Sequence, residues 1–223
     1  MNDNLQRRLV AEFIGTAMLL AAIVGSGIMA ERLAGGNVAV ALIANSIAIG
    51  AALVALISTF GPISGAHFNP AVTLSAAMNG AIKWKDAAEY FAAQITGALV
   101  GVAVANLMFD LPAFFVSTKV RTGASQWLGE FVATFGLIVV IAGSSRLQKS
   151  TVVPFAVAAY IMAAIWFTSS TSFANPAVTI ARMFSDTFTG IRPADAPAFI
   201  IMQIFGAIAA TFVFRWLIPI NKI

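Results

Sequence analysis

The residues best suited to act on a small molecule belong to one tripeptide that occurs twice, as Asn69-Pro70-Ala71 and as Asn175-Pro176-Ala177. Proline fits the first position of a helix, because the N–H that it lacks would have no intrahelical partner there. Asparagine is favoured just before that position, where it caps the helix start. Each tripeptide therefore predicts a helix start that carries about half a positive charge. Its asparagine amide can donate hydrogen bonds to a solute oxygen, which is binding chemistry without a covalent step.

The composition indicates a membrane protein. Of the 223 residues, 60% are hydrophobic and 10% are charged, whereas soluble domains carry about 25% charged residues. The 13 Lys and Arg residues are scattered between apolar runs, which is typical of membrane topology and not of nucleic-acid binding. We therefore expect a lipid bilayer as partner and no nucleic acid. Because the chain has no cysteine and only one histidine, His67, we also expect no metal site, no cofactor and no catalytic residue.

Six apolar runs are long enough to be membrane spans, since about 20 residues are needed to cross roughly 30 Å of hydrocarbon. They lie near 9–30, 38–59, 87–108, 127–145, 152–168 and 197–218. An even number of spans places both termini on one side of the membrane. A modest excess of Lys and Arg in the segments on that side predicts cytoplasmic termini in the cell's inner membrane.

Two connections do not have the composition of ordinary loops. Residues 61–80 and residues 169–190 each contain one of the tripeptides and an apolar piece of about ten residues, which is too short to cross a bilayer. Irregular backbone at membrane depth is tolerated only where it is buried in protein or lines a wet cavity. Both segments are therefore predicted to re-enter the membrane and to line a path through it.

The chain also contains an internal repeat. Three motifs recur in the same order, namely Glu-Phe-x-x-Thr at 12–16 and 130–134, Asn-Pro-Ala-Val-Thr at 69–73 and 175–179, and Gln-Ile-x-Gly-Ala at 94–98 and 203–207. The halves, about 1–110 and 125–223 of a single channel domain, hold three spans each. An odd number of spans inverts the second half, so the two helix starts should meet near the membrane midplane.

These paired tripeptides in a duplicated six-span chain resemble the aquaporin, or major intrinsic protein, family over essentially the whole length. The string Ser-Gly-Ala-His-Phe-Asn-Pro-Ala-Val at 64–72 is especially similar to the family's first loop. The resemblance implies an all-α membrane protein with six transmembrane helices, two re-entrant half-helices and an inverted 3+3 repeat. It also implies a homotetramer with one pore per subunit that passes small neutral solutes, namely water, polyols and metalloid acids. The string at 175–182 is similar to a bacterial aquaglyceroporin subgroup associated with arsenic-resistance operons.

The stretch before each tripeptide is predicted to offer backbone carbonyls to the solute. The candidates are Gly65, Ala66 and His67 in the first loop and Thr171, Ser172 and Phe173 in the second. A neutral hydroxyl compound can exchange its water shell for these acceptors and for the asparagine donors. A cation meets two positive helix ends in a low-dielectric setting and is rejected.

The resemblance also implies a constriction of four residues that sets solute size. Counted from the two asparagines, these positions are Ile49, Ala163, Ser172 and Val178. Water-selective members of the family place a bulky aromatic residue, a histidine and an arginine among the four. The small and mostly apolar set in this chain predicts a wider filter, suited to glycerol-like polyols or to undissociated arsenite, As(OH)₃.

Because the filter arginine is missing, part of the family's barrier to cations has no obvious residue in this chain. Arg182 lies one helical turn beyond Val178, and it either leans back towards the mouth of the path or pairs with Asp186 at the i+4 position. Two other basic residues, Lys119 and Arg121, are interpreted as solvated charges of an outer loop, together with Arg192.

Glu12 and Glu130 lie in spans, where an ionisable residue is a functional candidate by default. One hypothesis makes them proton carriers of a transporter. The family resemblance favours the other, in which each carboxylate accepts hydrogen bonds from the nearby re-entrant loop. For His67, a metal-ligand or proton-relay role is weighed against a role in bracing the loop.

Other functional classes remain as alternatives. A water-selective aquaporin would have the same fold, and inverted repeats also occur in ion-coupled secondary transporters. An enzyme is disfavoured because no nucleophile–base pair or metal constellation is visible in the sequence. A purely structural membrane protein would not need two asparagine-capped half-helices at mid-membrane.

Overall fold

The structure is a computed structural model that describes residues 3–147 and 150–218. Both chain ends, which are predicted to lie on one side of the membrane, are outside the described residues. Within these two described segments, eight α-helices follow one another in chain order. They are α1 (Asp3–Leu33), α2 (Val38–Ser64), α3 (Pro70–Met78), α4 (Trp84–Met108), α5 (Ala124–Leu147), α6 (Val153–Phe167), α7 (Pro176–Arg182) and α8 (Ala196–Leu217). No β-strand occurs in the two described segments.

The six longer helices correspond to the six predicted spans. Five of them are long and apolar enough to cross a membrane, and α6 is shorter, with 15 residues. A single 3-10 turn, Ser150–Val152, leads into α6. At its other end α6 stops at Phe167, because the backbone is extended at Thr168. The 15 residues of α6 span about 22 Å at 1.5 Å per residue. The predicted fold class, an all-α membrane protein with two half-helices, is confirmed.

The two halves of the chain have the same order of elements. Two long helices, a half-helix and a further long helix form the first half, α1–α4, and again the second half, α5–α8. Within each half the first and last helices pack against each other, α1 on α4 and α5 on α8, and α2 packs on α6 between the halves. This arrangement places the two half-helices in the interior, between the long ones.

Glycine permits the close crossing of α1 and α4. A Cβ at Gly97 or Gly101 would collide with the α1 backbone carbonyls of Phe13 or Ala17. In the second half, a Cβ at Gly206 would lie 2.6 Å from the Phe131 carbonyl oxygen. Small residues at helix contacts in membranes allow such backbone approach.

We expect Gly101→Ala to destabilise the protein by about 1–3 kcal/mol, because the added methyl group must push α1 away from α4. Gly143→Ala is the matched control, since its nearest neighbour, the Phe214 ring, is 3.5 Å from the added carbon. Both changes give the same gain in helix propensity, so the difference isolates the collision. The measurement is the thermal unfolding midpoint in detergent, and equal midpoints for the two variants would contradict the close crossing.

The outer surfaces of the long helices carry many exposed apolar side chains. Examples are Met18 on α1, Ile47 on α2, Val104 on α4 and Phe212 on α8, each at least 43% exposed. Apolar exposure of this extent is unusual for a soluble monomer. It fits helices that face lipid or neighbouring subunits.

Candidate functional site: a path between the half-helices

One cavity of about 1060 Å³ runs along the interior. Val38 at the start of α2 and Gly65 just after its end both line it, so the cavity extends along the whole helix. Three basic residues line one end, which we call the basic mouth: Lys119, Arg121 and Arg182. The opposite end is lined by small polar residues that include Ser75, Asn79, Ser145 and Thr151.

The two half-helix starts meet at this cavity. The side-chain Nδ2 of Asn69 donates to the backbone oxygen of Ala174 at 2.7 Å, and that of Asn175 donates to the backbone oxygen of Phe68 at 2.8 Å. Each asparagine thus binds the loop of the other half. Because an amide nitrogen carries two hydrogens, one N–H of each asparagine remains for the cavity, which both residues line.

The rest of each tripeptide forms the helix start itself. Pro70 and Pro176 are the first residues of α3 and α7. The asparagine Oδ1 atoms accept the N–H groups of Ala71 at 2.8 Å and of Ala177 at 3.0 Å. Both alanines are buried. The caps therefore use the asparagine oxygens and leave the nitrogens to point away from the helices.

The loop before each tripeptide has an unusual backbone. Five non-glycine residues adopt a left-handed conformation, with φ between 47° and 62°: Ala66, Phe68, Thr171, Ser172 and Ala174. Each such residue costs on the order of 1 kcal/mol and persists only when its surroundings impose it. The residues predicted to offer carbonyls all line the cavity, namely Gly65, Ala66, His67, Thr171, Ser172 and Phe173.

Glu12 holds the first loop in this conformation. Its Oε1 accepts the backbone N–H of His67 at 3.0 Å, and its Oε2 accepts that of Phe68 at 2.7 Å. Ser64 Oγ at 2.6 Å and Gln94 Nε2 at 2.9 Å complete the set of donors. The carboxylate is fully buried and does not line the cavity.

Glu130 occupies the equivalent place in the second half. It accepts the backbone N–H groups of Phe173 and Ala174, both at 2.9 Å, and Nε2 of Gln203 at 2.5 Å. It too is fully buried and away from the cavity. A proton carrier would need its carboxylate to contact the path. Neither Glu12 nor Glu130 does so.

His67 contacts the two helices that follow its loop, α3 and α4. Its Nδ1 lies 3.0 Å from Thr73 Oγ1 on α3, and its ring packs on Tyr90 of α4. Within the described residues, no group of three His, Cys, Asp or Glu side chains could hold a metal ion. The contacts of His67 are those of a side chain that braces the loop.

Three of the four predicted constriction residues lie together at the cavity. Ile49, Ser172 and Val178 line it and are each at most 6% exposed. The fourth prediction, Ala163, is corrected by the structure, because it is exposed and does not line the cavity. Ile165 of α6 lines the cavity instead and packs in the same apolar cluster as Ile49 and Val178.

The correction follows from helix geometry. Ile161 and Ile165 are four residues apart, so they share the face of α6 that lines the cavity. A residue two positions from each of them lies about 200° round a helix of 3.6 residues per turn. Ala163 therefore points to the opposite side. Ile49, Ile165 and Val178 thus give the cavity wall three branched aliphatic side chains, and Ser172 also lines it.

Arg182 turns inward to the basic mouth. It is 6% exposed, lines the cavity and donates from Nε to the backbone oxygen of Thr189. The alternative pairing with Asp186 is wrong, because that carboxylate instead accepts the N–H of Thr118 at 2.9 Å and a hydroxyl of Ser117.

Arg121 is the functional candidate that the sequence did not reveal. The prediction of a solvated loop charge is wrong, because the connection between α4 and α5 places Arg121 at the cavity, where it is only 9% exposed. Its Nε donates to the backbone oxygen of Gly190 at 2.7 Å, and its Nη1 donates to Thr171 Oγ1 at 3.2 Å. Lys119 is also half-buried at the cavity. Arg192 is partly exposed and pairs with Asp195 at 2.9 Å.

The sequence is similar to those of known proteins. The chain matches the family described as Major intrinsic protein over residues 2–172 and 128–221. It is 54% identical over 215 residues to aquaglyceroporin AqpS of Rhizobium meliloti (strain 1021). The matched residues make up 96% of this chain and 91% of the relative. It is 31% identical over 216 residues to aquaporin NIP1-3 of Oryza sativa subsp. japonica, with 94% and 73% covered.

A solved structure supports the fold. The X-ray structure of the aquaglyceroporin from Plasmodium falciparum superposes with a TM-score of 0.71 and covers 96% of this chain and 98% of that chain. The sequence identity is 20%. At this identity the likeness concerns the arrangement of helices.

Proposed function

Since the chain belongs to the major intrinsic protein family, we propose that it is a passive membrane channel of the aquaglyceroporin type. Its solutes are small and uncharged: glycerol-like polyols, undissociated metalloid acids such as arsenite, and water. The observation that carries the proposal is a reciprocal pair of hydrogen bonds beside the cavity, from Asn69 to the Ala174 carbonyl and from Asn175 to the Phe68 carbonyl. Each asparagine keeps one N–H for a passing oxygen.

The aliphatic constriction favours a wide class of solutes over water alone. Ile49, Ile165 and Val178 present hydrocarbon to the cavity, and Ser172 supplies a hydroxyl group. The carbon backbone of a polyol can contact the hydrocarbon while its hydroxyl groups bind the carbonyl and amide groups of the loops. A filter selective for water requires polar groups that replace all the hydrogen bonds of a water molecule.

An ion-coupled transporter is the alternative from another class. It would need an ionisable group that alternates between protonation states while exposed to the path. Glu12 and Glu130 are instead held by several donors each and lie away from the cavity. This arrangement supports a channel.

We also propose a homotetramer with one pore per subunit, located in the cell's inner membrane with both termini in the cytoplasm. The family resemblance and the exposed apolar side chains of the long helices support this assembly. The mass of the purified protein in detergent, corrected for bound detergent, tests it. Four subunits are expected, and a stable monomer would contradict the proposal.

Swelling of vesicles tests the solute class. Purified protein in proteoliposomes is exposed in a stopped-flow instrument to gradients of water, glycerol and arsenite, with protein-free liposomes as the control. We expect all three solutes to enter faster than in the control. Acceleration of water alone would support the water-selective alternative.

The charge at the basic mouth should change between pH 7 and pH 9. Burial and the nearby guanidinium groups of Arg121 and Arg182 lower the pKa of Lys119 to about 8, although Glu31 and Asp186 act in the opposite direction. Lys119 is therefore mostly protonated at pH 7 and mostly neutral at pH 9. We expect the K⁺ leak of proteoliposomes to rise about two- to threefold over this range. In Lys119→Met the leak should not depend on pH, and an unchanged pH profile in this variant would contradict the assignment.

A further inference from the structure

Two arginines from different segments meet on one aromatic ring at the basic mouth. The Cζ of Arg121 lies 5.0 Å and that of Arg182 lies 3.4 Å from the centroid of the Phe173 ring. Phe173 is itself one of the loop residues that line the cavity. A guanidinium on an aromatic face is stabilised by the ring electrons, so Phe173 helps to hold two like charges close together.

Arg121 also ties together the two segments that flank α7. Its Nη1 binds Thr171 Oγ1 in the loop before α7, and its Nε binds the Gly190 carbonyl in the segment after it. Its own backbone N–H donates to Asp195 at 2.9 Å. The side chain is therefore fixed in the wall of the mouth, with its charge beside the loop carbonyls.

Arg182 keeps free donors. Apart from the Nε contact with the Thr189 carbonyl, its side chain makes no hydrogen bond within residues 3–147 and 150–218. Its two terminal nitrogens therefore have four N–H groups for a ligand. The hydroxyl oxygens of Ser172 and Thr189 are also buried without a partner, and both residues line the cavity.

No acid neutralises this cluster from within the cavity. Among the described residues that line it there is no Asp or Glu. Asp186 and Asp195, the nearest acids of the adjoining loops, bind backbone N–H groups of Thr118 and Arg121, and Asp195 also pairs with Arg192. The lining of the basic mouth is therefore basic, and the opposing charge comes from outside the cavity: from Glu130 on Arg121 and Arg182, and from Glu31 and Asp186 on Lys119.

We propose that Arg121 and Arg182 together take the place of the arginine that Val178 replaces. Arg182, with the hydroxyl groups of Ser172 and Thr189, forms a binding site for neutral solutes that carry two or more hydroxyl groups. Arg121 positions the loop and supplies a second charge that rejects cations. The proposal rests on the proposed channel function. It assigns part of the cation barrier to Arg121, which lies 57 residues before Val178 in the sequence.

The test compares Arg121→Met, Arg182→Met and the double variant with wild-type protein in proteoliposomes. Arg32→Met is the matched control, because Arg32 also donates to a backbone carbonyl, at 2.9 Å, and lies 5.1 Å from a phenylalanine ring centroid. Unlike the other two arginines, it is exposed and does not line the cavity. The readouts are glycerol flux and K⁺ leak, measured on the same vesicles.

We expect the K⁺ leak to rise on the order of tenfold in each single variant and further in the double variant, with no change in Arg32→Met. Arg182→Met should also lower the glycerol flux, which Arg32→Met should leave unchanged. A double variant that conducts glycerol but leaks no more K⁺ than wild type would overturn the proposal. Absence of glycerol flux in wild type would instead refute the channel function.

Arg121→Met also removes the hydrogen bonds to the two segments that flank α7. Arg121→Lys therefore provides a second comparison. Lysine keeps the charge but cannot bind both flanking segments in the same fork geometry. We expect this variant to exclude K⁺ as wild type does, with a lower unfolding temperature. A leak equal to that of Arg182→Met would show that charge at position 121 is not the barrier.

Discussion

Replacing Val178 with arginine is expected to reduce glycerol flux on the order of tenfold or more, while water flux falls by less than about twofold. Val178 is 3% exposed and lines the cavity in the same cluster as Ile49 and Ile165. A guanidinium at this position fills space that a three-carbon solute needs but that a water molecule does not. Stopped-flow swelling in glycerol and in an impermeant osmolyte measures the two fluxes separately.

Val178→Leu separates size from charge in this experiment. Leucine adds one carbon and no donor, so a purely steric constriction predicts an intermediate loss of glycerol flux. The arginine variant should lose more, because its guanidinium also faces the two existing arginines of the basic mouth. If glycerol and arsenite fluxes in Val178→Arg equal those of wild type, Val178 does not belong to the constriction.

Glu12→Gln is expected to destabilise the folded protein by about 3 kcal/mol. In either orientation the glutamine amide places an NH₂ group against at least one buried backbone N–H, of His67 or of Phe68, that now binds a carboxylate oxygen. An unpaired buried donor costs about 1–3 kcal/mol, and more where a charged acceptor is lost. The unfolding midpoint in detergent and the yield of folded protein report the effect.

Glu89→Gln on α4 is the matched control, because Glu89 is partly exposed and surface changes of this kind stay within about 0.5 kcal/mol. Glu130→Gln should resemble Glu12→Gln, since Glu130 binds the second loop in the same way. The proton-carrier hypothesis makes a different prediction. Under it, Glu12→Gln would fold with normal stability and lose only a pH-dependent component of transport.

The features that the sequence predicts well are those with local causes. The asparagine caps, the helix-starting prolines and the apolar runs act within a few residues, and they determine where α3, α7 and the long helices begin. The match of the Glu12 and Glu130 motifs indicated that each half would use its carboxylate in the same way. Both acids do bind two successive backbone N–H groups of their own loop.

The errors concern features that depend on tertiary structure. Counting back from Asn175 puts Ala163 at the constriction. The face that α6 presents to the cavity, however, depends on the rotation of α6 against α2, and no local motif determines that rotation. Arg121 and Arg192 both lie in connecting segments of similar sequence character. Arg121 is buried because unpaired carbonyls from two other segments surround it, a situation that exists only in the folded chain.

The dependence of glycerol flux on concentration and on proton gradients tests the central claim most directly. That claim is that the two half-helix starts open a continuous path to neutral oxygens. Purified protein in proteoliposomes should give a flux that rises linearly with glycerol concentration, has a low activation energy and is unaffected by a protonophore. A flux that saturates and disappears when a protonophore is added would contradict it, because an alternating carrier and not an open path would then move the solute.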